Sequence, residues 1–472
     1  RLLFHMLSTQ GPGVAKGDVN ADGLDDVYVG GAKGQEGSLL MQQANGSFKK
    51  IEIPAFATDS LSEDIDALFF DADNDKDLDL YVVSGGTEFT NQAAELKNRL
   101  YINQSSGNAI KFLKSTGLPD VFQSGSCVTA SDIDHDGDMD IFLGIRVIPG
   151  YYGDAPAQYI FVNDGKGTFT DATTQWNSSF LNLGMVSDAA WFDLDQDGWD
   201  DLIIVGEWMP VTIFKNDGKK LTKVELKGTS MEKTDGWWNT LSIKDLNNDG
   251  RPDVVLGNLG LNSRFRPTKE NPVSLYVSDF DGNGSIDPIY TYKKDGKIYP
   301  YALRQDLLKQ IPSLKKKFLF YKDYAGKGIE QLFSPEQLAK GKVLNFYNAS
   351  SSTLINLGNF NFLLKPLPVE AQVSPIYAIE SEDVNGDGNI DLIVAGNFIS
   401  VKPEIGRYDD MQGLVLLGDG KGEFKALPSA TSGLKIDGEV KKILSIRSKA
   451  GQRILFARNN QSLKLYGISK QP

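Results

Sequence analysis

Carboxylates at every second residue are the recurrent chemistry of this sequence. Seven nine-residue frames carry Asp or Asn at positions 1, 3 and 5, usually Gly at 6, and Asp at 9. The side chains at positions 1, 3, 5 and 9 are Asp18, Asn20, Asp22 and Asp26 in the first frame, and Asp71, Asp73, Asp75 and Asp79 in the second. The third frame has Asp132, Asp134, Asp136 and Asp140, and the fourth has Asp193, Asp195, Asp197 and Asp201. The last three have Asp245, Asn247, Asp249 and Asp253; Asp279, Asp281, Asn283 and Asp287; and Asp383, Asn385, Asp387 and Asp391. Of these 28 places 24 are Asp and four are Asn, so every frame packs at least three negative charges into one tight turn. Without a cation their mutual repulsion is on the order of several kcal/mol.

A hard cation such as Ca²⁺ takes about six to eight oxygens at ~2.4 Å, and alternate side chains of a tight loop plus one backbone carbonyl converge to supply them. The carbonyl expected to complete each shell is at position 7, which is Leu24, Asp77, Asp138, Trp199, Arg251, Ser285 and Asn389 in turn. Up to seven Ca²⁺ sites are therefore predicted. Seven ions would carry the formal charge from −13 to about +1, so the acidity reads mostly as a complement to metal. The EF-hand alternative closes with Glu at position 12. That position is Val29, Val82, Leu143, Ile204, Leu256, Tyr290 and Val394, which excludes it. In the second frame Lys76 replaces the Gly at position 6, and is expected to adopt positive φ with its loop still able to hold metal.

Positioning these loops falls to short strands. Most frames are followed by a β-branched apolar run bounded by Gly, as in Asp201-Leu-Ile-Ile-Val-Gly206, and preceded by a shorter apolar run. A second hairpin follows downstream, clearest at Asn163 to Phe169 and Asp419 to Phe424. Four strands per repeat, at spacings of 53, 61, 61 and 52 residues, suit the four-stranded blades of a β-propeller. The fold class is all-β, one propeller domain over residues 1–472. The sixth frame follows the fifth by only 34 residues and precedes the seventh by 104, leaving two solutions. Either it lies in the outer hairpin of the fifth blade, giving seven blades, which is favoured, or the fifth blade is short and there are eight. Three C-terminal runs without a metal frame, at 440–446, 453–457 and 463–466, form a last blade for which Leu2 to Leu7 is expected to supply the fourth strand. Residues 303–342 read as a helical insertion: apolar residues at 307, 308, 311, 314 and 318 make a helical stripe, Pro312 interrupts it, and Ser334, Pro335 and Gln337 mark a helix start. From Arg304 to Lys342 nine basic residues face four acidic ones, which suits either an acidic partner or a solvated Lys face.

With these motifs, notably Gly17 to Gly23 (Gly-Asp-Val-Asn-Ala-Asp-Gly) and Phe70 to Asp75 (Phe-Asp-Ala-Asp-Asn-Asp), the sequence resembles the FG-GAP or VCBS repeats of integrin-α-type β-propellers. The segments Trp237-Trp238-Asn239 and Gly257 to Asn262 extend the resemblance to large bacterial cell-surface proteins of this type. The resemblance implies Ca²⁺ in the loops, a binding or adhesive role, and export to the cell surface, periplasm or extracellular space. It implies no reaction, and fold alone does not give function.

Composition narrows the alternatives. With 49 basic against 62 acidic residues a nucleic-acid binder is disfavoured. Cys127 alone makes no internal disulfide or cysteine-based zinc site, and His5 and His135 are the only histidines, leaving little material for imidazole chemistry. No apolar run approaches the ~18 residues of a membrane span, and residues 1–10 lack a signal-peptide pattern. A start at Arg1 without Met reads as a mature or excised fragment. Glu207 beside Trp208, or Glu63 beside Asp64, are the thin candidates for glycosidase-type acids; each reads more simply as a loop residue, so no catalytic residue is assigned and an enzymatic role stays open. In a propeller the metal loops share one face, and the loops after each second strand share the other. Arg146, Tyr151, Trp208, Trp237, Trp238, Arg407 and Tyr408 are expected on or near that second face, either contacting a protein or glycan partner or plugging the channel and packing between blades. The functional expectation is a calcium-stabilised binding or adhesion module of a larger surface protein; the alternative is a carbohydrate-binding or carbohydrate-processing propeller.

Overall fold

Every acidic frame joins two antiparallel strands, and the apolar run after it is a buried strand: Asp79–Gly85, Asp140–Val147 and Asp201–Met209 are buried along their whole length. The computed structural model describes residues 2–107, 109–226, 228–449 and 451–468. It is all-β, with short helices only in connections and in one insertion.

Eight antiparallel sheets are present among the described residues. The first is Val14–Gly17, Asp26–Val29, Ser38–Gln42 and Phe48–Ile51; the second is Glu63–Phe70, Asp79–Gly85, Arg99–Asn103 and Phe112–Lys114. The third runs from Ser124–Ser131 to Phe169–Asp171, and the fourth from Met185–Phe192 to Leu221–Lys223, with Gly236–Trp237 added beside Asp201–Met209. The fifth is Thr240–Lys244, Asp253–Gly257, Ser352–Asn356 and Phe362–Pro366. Another four-stranded sheet runs from Ile376–Glu382 to Phe424–Leu427, and the last holds three strands, Val440–Ser448, Gly451–Arg458 and Lys464–Gly467. In these seven sheets the first strand packs against the first strand of the next, and Val440–Ser448 packs back on Val14–Gly17.

The eighth sheet stands outside that succession. Its strands, in the order Lys297–Pro300, Asp287–Lys294, Val273–Ser278 and Lys342–Phe346, are inserted between the second and third strands of the fifth sheet. The sixth acidic frame joins two of them, so it belongs neither to an outer hairpin of the fifth sheet nor to a sheet in the succession. The physical reason is that the 104-residue gap contains strands with their own core. Phe280 and Ile289 pack there against Leu307, Leu308, Ile311, Leu314 and Phe318 of the insertion. The stripe splits where Pro312 requires: a helix at Arg304–Gln310, then a 3₁₀ turn at Pro312–Lys316. Ser334 and Gln337 form the reciprocal cap read from sequence.

Residues 2–7 do not enter the last sheet. His5 makes one isolated bridge to Val401, while Leu2 joins the insertion core and Phe4 and Leu7 join another cluster. The physical reason is apolar burial: Leu2, Phe4 and Leu7 are all buried in those clusters.

Neighbouring sheets are stitched by a repeated amide that spacing arguments had passed over. At the end of the third strand in the second to fifth sheets stands Asn103, Asn163, Asn216 or Asn356. Each side-chain amide donates to a carbonyl in the preceding sheet's acidic loop, at Val19, Ala72, Ile133 and Leu194, over 3.1, 2.9, 2.9 and 2.8 Å. Gln42 makes the corresponding link from the first sheet to the last, donating to the Arg447 carbonyl at 2.9 Å. Each such buried bond contributes about 1 kcal/mol net and costs more if left half-made. Between the sheets the first residue of the fourth strand fills the shared core, as Phe112 does beside Tyr28 and Tyr101. Burial of a side chain of that kind is worth about 2–3 kcal/mol.

Candidate metal centres and the buried cluster opposite them

The acidic loops share one internal geometry. In six loops the position-1 Asp accepts the backbone N–H groups of positions 5 and 6, as Asp132 does from Asp136 at 3.1 Å and Gly137 at 3.1 Å, while Asp71 accepts only that of Lys76 at 2.9 Å. In each loop the position-5 side chain accepts the N–H of position 7, illustrated by Asp22 and Leu24 at 2.9 Å. Position 9 is buried, and its Oδ2 accepts the position-2 N–H at 2.8 to 3.2 Å throughout. In six loops its Oδ1 accepts an N–H from the end of the third strand at 2.7 to 2.9 Å; in the sixth frame the side chain of Gln310 takes that place at 2.8 Å. Burial pushes Asp26, Asp79, Asp140 and Asp201 up to about 7, even though these two donors favour the charged form. Position 6 is left-handed in every loop, including Lys76 at φ 75°, and position 4 is left-handed too, a feature the residue types there (Ala21, Asn74, His135, Gln196, Asn248) did not announce.

These residues fit a hard cation. In four loops three carboxylates bring oxygens within 4.8 Å of one another: Asp71, Asp73 and Asp79; Asp132, Asp134 and Asp136; Asp193, Asp195 and Asp197; Asp279, Asp281 and Asp287. That is twice the ~2.4 Å calcium–oxygen distance, the span of ligands on opposite sides of one ion. Seven buried carboxylate oxygens of these loops have no hydrogen-bond partner, on Asp71, Asp73, Asp77, Asp134, Asp138, Asp195 and Asp281. Orphaned buried acceptors of this kind are costly, and a cation satisfies several at once.

Position 3 divides the loops. Where it is Asp, as at Asp73, Asp134, Asp195 and Asp281, its Oδ1 is left without a partner. Where it is Asn20, Asn247 or Asn385, the amide donates to the position-5 Asp at 3.1, 3.0 and 3.0 Å, so these three loops are partly satisfied internally. In the fourth loop Lys215 reaches in, bonding Asp195 and also Asp197 at 2.7 Å, and so occupies with an ammonium the charge that a metal would neutralise. The loops also touch: His135 stacks on Trp199 with ring centroids 3.8 Å apart, Gln196 donates to the Gly250 carbonyl at 2.7 Å, and Asn248 donates to Asn389 at 3.1 Å. The third, fourth, fifth and seventh frames thus adjoin one another in that order.

The far end of the second strands is different in kind. Glu207 lies six residues past Asp201, ~20 Å along an extended strand. Its carboxylate accepts from Trp237 Nε1 at 2.7 Å, Tyr152 Oη at 2.7 Å and the Arg146 guanidinium, with His5 Nε2 4.0 Å away. Trp208 Nε1 donates to Tyr152 Oη at 2.9 Å, and Gln10 accepts from Arg146. Burial alone raises the Glu207 carboxyl, but Arg146 foremost, then His5, Tyr152 and Trp237, hold it below its ordinary value. Burial pushes the His5 imidazole down to about 4, against the attraction of Glu207. A bulge at Trp208, at φ 58°, turns this strand toward Gly236–Trp237.

Among the candidate partner-binding residues, Arg146, Trp208 and Trp237 meet in this one cluster and are buried in it. Trp238 is buried elsewhere, between the fourth and fifth sheets, donating to the Thr234 carbonyl at 2.9 Å; Tyr408 is buried against Phe398. Tyr151, 39% exposed, and Arg407 face solvent. Trp208, Trp237, Trp238 and Tyr408 are thus packing residues, the first two in a core that the N-terminal segment and several sheets build together. Glu207 has no open lone pair facing solvent, and Asp64 is likewise tied to Arg99, to Tyr28 at 2.8 Å and to the Gly31 N–H at 2.8 Å.

A family model described as FG-GAP-like repeat matches residues 18–82, 71–143 and 193–256. No curated protein matches the sequence. Among solved structures, the chain is similar to the Vibrio cholerae biofilm matrix protein Bap1 (10% identity, 99% of this chain and 88% of that one, TM-score 0.39). It is also similar to Saccharomyces cerevisiae Sqt1 (10%, 98% and 97%, 0.43) and to YCF48 bound to D1 peptide (9%, 99% and 94%, 0.44).

Proposed function

From the premise of a chain built on FG-GAP-like repeats, we propose that it is a calcium-stabilised, seven-bladed β-propeller that serves as a binding or adhesion module of an exported or cell-surface protein. The single observation that carries the reading is the set of unpartnered, buried loop carboxylate oxygens, several of which one cation satisfies at once. Bound Ca²⁺ supplies positive charge and crosslinks positions 1 through 9 of each loop; the side chains at positions 1, 3, 5 and 9 and the position-7 carbonyl are the proposed ligands. The succession of first-strand contacts supports seven blades, with the inserted sheet standing outside the ring. Rigid loops on one face and an Arg146–Glu207 cluster sealing the other make a scaffold rather than a catalytic cleft. Partner contact then falls to exposed features beyond the cluster, Tyr151 and Arg407 among them.

The carbohydrate reading gains no such support: Trp208, Trp237 and Trp238, the rings best suited to stack on sugars, are buried. A glycan array probed with the folded chain in saturating calcium tests the choice. No glycan-specific retention is expected. Retention that Tyr151→Ala or Arg407→Ala abolishes would move the reading to sugar recognition.

A further inference from the structure

Leu319, Phe320 and Tyr321, in the insertion, are 66%, 62% and 65% exposed, and are the only consecutive large apolar residues so exposed among the described residues. Scattered single exposed side chains need no explanation, but an ordered run does. This run is held in place. Phe318 anchors it in the insertion core, and Arg304 donates through Nε and Nη2 to the Phe318 carbonyl at 2.9 and 2.6 Å and through Nη2 to that of Leu319 at 2.5 Å. Asp323 accepts the Phe320 N–H at 2.9 Å, and Tyr324 Oη donates to the Ala302 carbonyl at 2.7 Å. Three large apolar side chains are therefore presented to water by a fixed backbone.

Their surroundings are basic. Lys315, Lys316, Lys317 and Lys322 flank the run and are exposed, Lys322 lies 5.6 Å from the Phe320 ring and Arg304 5.0 Å from that of Tyr321. Between residues 315 and 327 five lysines face one acid, Asp323, which is already engaged as the cap. On a chain of net charge −13, this tip is the complement of an anionic surface.

We propose that residues 315–322 insert into the interface of an anionic lipid bilayer, Leu319 and Phe320 entering the acyl boundary, Tyr321 lying at the headgroup level and the lysines pairing with lipid phosphates. Apolar side chains ringed by lysines whose stems reach back to the headgroups are what an interfacial anchor requires. A bilayer is favoured over an acidic protein because all three side chains of the run are exposed: the lysines answer an anionic partner of either kind, but an acyl boundary receives the apolar side chains without a matching pocket. Neither the metal loops nor the sealed end takes part, so the inference stands apart from the calcium reading.

Flotation of the chain with phosphatidylcholine vesicles, with and without phosphatidylglycerol, tests it. Binding is expected only with the anionic lipid and to weaken with salt. Phe320→Ser is expected to lower partitioning about tenfold and Lys315→Gln with Lys316→Gln about fivefold per residue, all with unchanged melting because these side chains are exposed. In Phe320→Trp the new fluorophore is expected to be quenched by brominated lipid. Absence of binding to anionic vesicles, or binding that neither variant alters, overturns the proposal. Capture by a soluble acidic polypeptide without any vesicle binding overturns it in favour of an acidic protein partner.

Discussion

Glu207→Gln isolates the role of the sealed end. The substitution keeps the shape but removes the charge that compensates Arg146 and one acceptor among those serving Trp237 and Tyr152. Breaking a fully buried pair from one side costs about 3–5 kcal/mol, because the remaining charge stays in low dielectric. A chain of 472 residues unfolds with an entropy near 1 kcal/mol per kelvin, from about 2.1 cal/mol/K per residue, so Tm should fall by about 3–5 °C. Differential scanning calorimetry in saturating calcium reads this directly. The double variant Arg146→Met with Glu207→Gln removes both charges and should regain most of the loss. Calcium affinity should not change, since the loops lie ~20 Å away along the strand. An unchanged Tm, or a double variant whose loss is the sum of the single ones, would refute the claim that this cluster is a coupled structural lock.

Three further outcomes follow from particular contacts. His5 sits at about 4 in the fold against 6.5 when free, so the unfolded chain takes up the proton first; stability is lost as pH falls from about 6.5 to about 4, by up to about 3 kcal/mol. Glu207, held low, adds loss in the same direction at still lower pH, and melting curves of His5→Phe should show a shallower decline over that upper window. Removing the ammonium in Lys215→Met should tighten calcium binding at the fourth loop, seen by titration as a stronger site, whereas weaker binding would make Lys215 a support for the loop. Asn163→Ala deletes the amide bonds to Ala72 and Met139 and should lower stability by about 1–3 kcal/mol, measured as a Tm drop of about 1–3 °C.

Much of the architecture was legible because its signals are local. Asp at alternate positions fixes a loop, β-branched runs fix the strands beside it, and Pro312 and the Ser334 cap divide the insertion where residue types require. The positive φ of Lys76 was likewise readable from the frame alone. What escaped depended on distant partners. Nothing near Asp279 to Asp287 announces that its strands join a separate sheet, since Val273–Ser278 pairs with Lys342–Phe346 across the whole insertion. The fate of Leu2 to Leu7 turned on apolar surface supplied by residues hundreds of positions away. Packing was one of the two readings open for Trp208, Trp237 and Trp238; the strand bulge and the Arg146–Glu207 pair that draw the first two inward were invisible in sequence. The Asn ladder was present in the turn motif at Asn163, but its link to Ala72 required the neighbouring sheet.

Calcium stoichiometry on the chelator-stripped, folded chain tests the central claim most directly. Titration with Ca²⁺, followed by calorimetry and by metal analysis of the dialysed protein, should show more than four ions and up to seven per chain, the loops with Asp at position 3 filling ahead of those with Asn. Dissociation constants of ~10⁻⁴ to 10⁻³ M or tighter are expected, with Tm rising as the sites fill because the carboxylates converge only in the fold. A folded chain that binds less than one ion at millimolar calcium, or whose Tm is the same with calcium and with excess chelator, would contradict the account.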